Sequence, residues 1–447
     1  MSLREFSIRM VMGIGVLLIP TFVAAQTNGS QGGTASNIPV LAGGQMPGVT
    51  PGEEEAPPNV FQGSLIVGSY YDDNAVPGVV PREWDVDYSI RPEFSLQETR
   101  QRIVWGLTYS PGIEISQRLL SRNEFVQKFE GHMTWETSPH GTLSAQQYYL
   151  VTTNPFAGFT TTSPGPIISP NETIYVPNAR QKLSLSNVLY SYQSSARTTM
   201  GVGGAFQLHD LDSTPESGPT TALIYAQVAS GEAYISHQLT ARNQLGFQYG
   251  LQVLKFPEEN ARTTTHTFLV FDQMNLSSHA GLTLYGGPEY SLTSNQVALN
   301  LGFVIITIPV KANQWSASGG VIYNWTGDRF AAAIDFSRRI SDGGGLIGAV
   351  ELTAGSALLT WQMTRNWSLT SSISGADDQL LGQNTGSNEL RSYTGKMGVR
   401  RQLGRDFGMG FYYQRFNQTG SIDGLSIGNR DIIGVKLDYS FMKPLGG

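Results

Sequence analysis

Beyond Phe61, large apolar and polar side chains alternate with period two over most of the chain. From Asp85 to Gln97, Val86, Tyr88, Ile90, Pro92, Phe94 and Leu96 share one face, while Asp85, Asp87, Ser89, Arg91, Glu93, Ser95 and Gln97 share the other. Successive side chains of a strand point to opposite faces, so this pattern predicts an amphipathic strand. The next stretch sets Ile103, Trp105, Leu107, Tyr109, Pro111, Ile113 and Ile115 against Arg102, Gly106, Thr108, Ser110, Gly112, Glu114 and Ser116, and the two together predict a hairpin. The pattern returns at Leu245 to Val253, at Phe407 to Tyr413 and in Ile433, Val435, Leu437, Tyr439 and Phe441. It fits less well from Thr265 to Leu276, where Asp272 falls among the larger apolar residues.

The connectors alternate between tight and long. Ser138-Pro139-His140-Gly141, Thr240-Ala241-Arg242-Asn243, Thr326-Gly327-Asp328, Thr364-Arg365-Asn366 and Leu403-Gly404-Arg405-Asp406 are rich in turn formers. Between them lie longer polar stretches, Asn154 to Gln181, His209 to Pro219, Gly375 to Ser387 and Asn417 to Asn429. One end of the sheet is therefore trimmed and the other decorated. If each connector switches side, the count is about 18 strands, with 16 as the alternative, and both chain ends lie on the tight-turn side. The expected fold is all-β, a closed antiparallel transmembrane barrel with short periplasmic turns and long extracellular loops.

Soluble sandwiches alternate too, but a barrel of this size has a lumen too wide for side chains to fill. The polar face would then line the lumen and the apolar face would meet lipid. Closure follows from hydrogen bonding, because an unpaired backbone group in hydrocarbon costs several kcal/mol. Trp325 before one tight turn, and Trp361 and Trp367 around another, suit an interfacial aromatic girdle; ordinary core tryptophans are the alternative.

Composition narrows the class. Charged residues make up 14% of 447, glycine numbers 51 and cysteine is absent, which excludes disulfide frameworks and cysteine-ligated metal sites. A net charge of −6 without a Lys/Arg block leaves no electrostatic footprint for nucleic acid. Arg4 and Arg9 precede an apolar run from Met10 to Val23 that ends in Ala24-Ala25, so residues 1–25 read as a secretory signal peptide cleaved after Ala25. Residues 26–60 form a Gly/Pro/Ser-rich leader, residues 61–441 the barrel, and residues 442–447 a short extension. The apolar segment Phe303 to Val310 is expected to pack inside or against the barrel, or to add a strand.

The last strand carries a resemblance. Gly434-Val435-Lys436-Leu437-Asp438-Tyr439-Ser440-Phe441 resembles the signal that the barrel-assembly machinery reads, with Gly434, Leu437, Tyr439 and Phe441 at the matching positions. It departs from that signal at Ile432 and in the six residues that follow Phe441. The stretch Phe330 to Val350 resembles a hairpin of porin-2-like barrels. The resemblance, to porin-type outer-membrane barrels of Gram-negative bacteria, implies a location in the cell outer membrane, contact with its lipid and lipopolysaccharide, and assembly by that machinery. It implies passive diffusion of small hydrophilic solutes, and leaves open polysaccharide export, a plugged structural or adhesive barrel, and homo-oligomers.

Inward parity collects the candidate functional set. Asp85, Asp87, Arg91, Glu93, Arg102, Glu114, Lys128 and Glu130 share the lumen face of the early hairpins, and Lys396, Arg400, Lys436 and Asp438 that of the late ones. These groups become neighbours when the first and last strands pair. Opposed acidic and basic surfaces would set a transverse field that tunes ion selectivity, whereas solvation of the wall or local pairing is the plainer reading. Tyr148 and Tyr412 could serve as sugar-stacking steps. No cofactor is expected: the six histidines are scattered, no G-x-S-x-G elbow is present, and Gly343-Gly344-Gly345 lacks the lysine of a phosphate loop, so no enzyme is predicted.

Overall fold

The computed structural model describes residues 59–76, 81–153, 179–213, 225–257, 260–300, 305–343, 348–381, 389–420 and 428–444. Its strands are β1 (Val60–Asp72), β2 (Asp85–Arg100), β3 (Ile103–Ser116), β4 (Glu124–Ser138), β5 (Gly141–Thr152), β6 (Ala179–Ser195), β7 (Thr198–Ser213), β8 (Ala226–Thr240) and β9 (Asn243–Phe256). The second half adds β10 (Ala261–Asn275), β11 (Ala280–Asn300), β12 (Ile305–Thr326), β13 (Phe330–Ser341), β14 (Val350–Thr364), β15 (Trp367–Leu380), β16 (Glu389–Gln402), β17 (Phe407–Gly420) and β18 (Gly428–Pro444). Each strand pairs antiparallel with its neighbours in sequence, and β1 also pairs with β18, so the eighteen-stranded sheet closes on itself. The predicted signal peptide and most of the leader lie outside the described residues. The last strand runs past Phe441, with Val60 opposite Pro444, so Met442 to Pro444 belong to the sheet and not to an extension.

Eight tight turns lie at the end that also holds the start of β1 and the finish of β18. The opposite end is less uniformly decorated than the connectors predict. Two of its links span only 257–260 and 301–304, and β15 continues to Leu380, so Gly375 to Leu380 is strand. The long stretch from Asn154 falls outside the described residues up to 178. Of the apolar segment expected to pack inside or against the barrel or to add a strand, Phe303 and Val304 lie outside the described residues, and Ile305 to Val310 adds no separate strand. It is the beginning of β12, which pairs with β11 from Ile305 opposite Asn300 down to Trp325 opposite Ala280. β13 meets β12 only from Gly319 to Thr326, so the outer ends of β11 and β12 rise above the strand on that side.

The two faces of the wall are inverted relative to a soluble sheet. Along β2, Asp85, Asp87, Ser89, Arg91 and Glu93 are buried, whereas Tyr88, Ile90 and Phe94 are 46%, 47% and 45% exposed. The same holds on β9, where Phe247 is exposed and Gln248 buried, and on β17 and β18, where Phe411, Ile433 and Leu437 are exposed and Gln414 and Asp438 buried. The outer face is therefore a nearly continuous apolar surface far larger than a soluble monomer tolerates. Aromatic residues mark both edges of that surface. Trp325 and Trp315 share the outer face of β12 at its two levels, and Trp315 packs on Tyr290 at 4.9 Å, as Trp325 does on Phe330. The ten steps from Trp315 to Trp325 rise about 33 Å at ~3.3 Å each, or about 25 Å along the axis of a strand tilted ~40°.

Candidate functional site

Closing the ring with β1 against β18 brings the inner faces of β16, β17, β18, β1, β2, β3 and β4 side by side. Glycine permits close approach at this seam. A Cβ on Gly434 would lie 2.3 Å from Cζ of Tyr412, so the tyrosine ring lies flat over the β18 backbone where no other residue fits. Lys396 Nζ sits 5.7 Å from the centre of that ring, within range of a cation–π attraction.

At the long-connector end of the seam, three carboxylates and two guanidiniums are buried together. Asp72 ends β1, and Asp85 and Asp87 begin β2; all three are at most 1% exposed. Arg430 on β18 donates from Nε to Asp72 Oδ2 at 2.8 Å, and its Nη2 forms an ion pair with the same oxygen at 2.5 Å. The second cation arrives from a connector. Asp85 accepts the backbone N–H groups of Arg118 and Leu119, both at 3.0 Å, which anchors the segment that winds into a single 3-10 turn, Leu120–Arg122. Arg122 is thereby held 3.7 Å from Asp72, 3.9 Å from Asp85 and 3.6 Å from Asp87. Ser116 donates to Asp87 from the end of β3. Charges so buried are tolerable only when paired, and each of these carboxylates lies within 3.9 Å of a guanidinium.

Deeper along the seam the charges pair locally, within one strand or across one or two. Arg91 on β2 bridges to Glu114 on β3, which also accepts from Tyr70 Oη at 3.2 Å. Lys128 bonds Glu130 at 2.9 Å on β4. Arg400 on β16 reaches over β17 to hold Asp438 on β18 in a two-point contact, 3.1 Å from Nε and 2.5 Å from Nη2. In these three contacts opposite signs meet at short range along the wall.

On the far side, residues from the long connectors fold inward. Asp342, just past β13, accepts from Gln207 Nε2 on β7 at 3.2 Å and lies 3.8 Å from Nδ1 of His209, whose Nε2 is 2.7 Å from Gln181. Ala349 and Leu381, joined by a backbone hydrogen bond of 2.9 Å, pack with Ile340 on Val228, Leu254 and Phe256 of β8 and β9. Strands six apart in the ring are thus linked across the interior, which narrows the decorated mouth on that side.

Of the sequence-predicted set, Asp85, Asp87, Arg91, Glu93, Glu114, Lys128, Glu130, Lys396, Arg400, Lys436 and Asp438 all fall on this seam. Arg102 does not: it sits exposed in the β2–β3 turn. Tyr148 is 3% exposed and packed among Leu150, Leu183 and Leu185, so it offers no open stacking face. Sequence reasoning missed Asp72, Arg122 and Arg430. Asp72 shares parity with Ile66 and Tyr70 and was within reach of the period-two pattern, but Arg122 lies in a connector with no pattern to betray it. Leu437, Tyr439 and Phe441 face outward and are 51%, 38% and 42% exposed.

No family model matches the chain, and no curated protein matches it. Among solved structures it is similar to the ferric citrate transporter FecA, at 9% identity and a TM-score of 0.42, covering 85% of this chain and 64% of FecA, so the chain spans under two thirds of that protein. It is also similar to OccAB4 of Acinetobacter baumannii, at 8% identity and a TM-score of 0.43 over 87% of this chain and 99% of the other. OccK2 (OpdF) of Pseudomonas aeruginosa is similar at 7% identity and a TM-score of 0.40 over 86% of this chain and 98% of the other.

Proposed function

We propose that the chain is an outer-membrane channel through which small hydrophilic solutes diffuse passively. The observation that carries this reading is the inversion of the wall, with large apolar side chains outside and buried charges inside a closed ring. A sheet so built is stable only where lipid covers its outer face, and its polar interior then offers solutes a path that acyl chains do not. The channel's narrow zone is the mouth, between the Arg122–Arg430–Asp72 cluster on one wall and the inward-folded Asp342, Ala349 and Leu381 on the other. Closely spaced charges of both signs hydrate the passage and favour polar solutes over apolar ones.

Reconstitution of the detergent-extracted protein in a planar bilayer tests this. Stepwise currents are expected, and Asp342→Ala, which frees the inward connector from Gln207 and His209, should raise the unit conductance. A barrel that inserts but passes no current in either form would instead be a plugged structural protein.

A further inference from the structure

Each of the eight tight turns carries a basic side chain or an imidazole. Six hold arginine: Arg102, Arg197, Arg242, Arg329, Arg365 and Arg405. The other two hold His140 and His279, and all eight residues are exposed. The turns themselves contain only two acidic residues, Asp328 and Asp406. Among the described residues, none of the six arginines forms an ion pair. The opposite end differs. There the outward-facing Arg338, Arg391 and Arg415 are each bridged to a carboxylate of the protein, Glu351, Glu389 and Asp431. Lys255 and Arg262 also face outward at that end, but they are two cations on one pair of strands, whereas the turn cations recur at every tight turn round the opposite rim.

The aromatic belt says where that rim lies. Trp325, Trp361, Trp367 and Tyr439 face outward within a few residues of the tight turns, and Arg401 stacks on Trp367 at 5.3 Å. Such rings settle at the boundary between acyl chains and headgroups, so a cation one step beyond them stands at the depth of lipid phosphates. Guanidinium matches phosphate with two parallel hydrogen bonds, which suits the arginines of this ring.

We propose that the tight-turn rim is a binding ring for the anionic phospholipid headgroups of the adjoining leaflet. The ring runs round the whole perimeter, as an annulus of lipid does, whereas a docked protein would engage one sector. The inference rests on the membrane placement proposed above but not on conduction, so conductance measured on the same preparation separates the two.

The test uses the full-length barrel reconstituted in phosphatidylcholine vesicles that carry a trace of spin-labelled phosphatidylglycerol or spin-labelled phosphatidylcholine. The motionally restricted fraction of label reports lipid held at the protein surface. Phosphatidylglycerol should be favoured about threefold at low salt and should fall towards parity at about 1 M NaCl, where charges are screened beyond ~3 Å. Changing the six turn arginines to glutamine should remove the preference, while R391Q/R415Q at the other rim should retain it; heat-shifted gel migration verifies that each variant is folded. Equal restriction of both lipids by the unaltered protein would overturn the proposal, and that comparison needs no variant. A preference lost equally in R391Q/R415Q would also overturn it. So would binding of the unaltered protein to a soluble polyanion with no lipid preference, which would assign the ring to an aqueous partner.

Discussion

Arg430 is the side chain on which the seam depends most. It is 1% exposed and pairs with Asp72 at 2.5 and 2.8 Å, so Arg430→Gln leaves Asp72 with Arg122 at 3.7 Å as its remaining cation. Breaking a buried pair from one side costs about 3–5 kcal/mol, and the expected outcome is a clearly lowered denaturant midpoint for the detergent-solubilised barrel. Gly434 tests packing instead of charge. Gly434→Val should destabilise by about 1–3 kcal/mol through overlap with the Tyr412 ring, and adding Tyr412→Ala should recover much of the loss. A double-mutant cycle on unfolding free energy measures the coupling, and strict additivity would contradict the contact. The site was legible where charges sat on regular strands, because parity alone assigns their face. Arg122 was not, since its position depends on Asp85 capturing two backbone amides in a connector, and Asp342 was not, since only tertiary folding brings it to His209.

Among the elements, β18 has two duties, closing the ring against β1 and exposing a row of large side chains along its outer face. Phe441 packs near Phe61 at 6.1 Å and Tyr439 at 6.4 Å, in the outward row. Phe441→Asp should cut the yield of folded barrel in membranes several-fold while leaving export across the inner membrane unchanged; equal membrane yield would remove the assembly role from this strand. The strands themselves were readable from period-two patterning because one face of each is wholly committed to the exterior. Their ends were less so. β12 begins at Ile305 within a run that sequence reads as packing inside or against the barrel or as an added strand, since a continuous apolar stretch carries no alternation to mark its place, and Gly375 to Leu380 reads as loop because Gly375 and Ala376 supply no bulky outward side chain.

At the scale of the whole molecule, closure by nearest-neighbour pairing leaves no privileged break in the circle. Val60 and Pro444 face each other across β1 and β18, so the N-terminal and C-terminal limits of the sheet meet at the same rim, one strand apart. A circular permutant that joins them with a short linker and opens the chain in the Ala196-Arg197 turn should rebuild the same eighteen strands, since the new ends lie at the same exposed rim. In refolding from denaturant into micelles it should reach the native heat-shifted gel position. Inside a cell the outcome should differ, because β6 would then be the strand at the carboxyl terminus. Comparison of the two yields tests whether the final strand contributes an address besides its geometry.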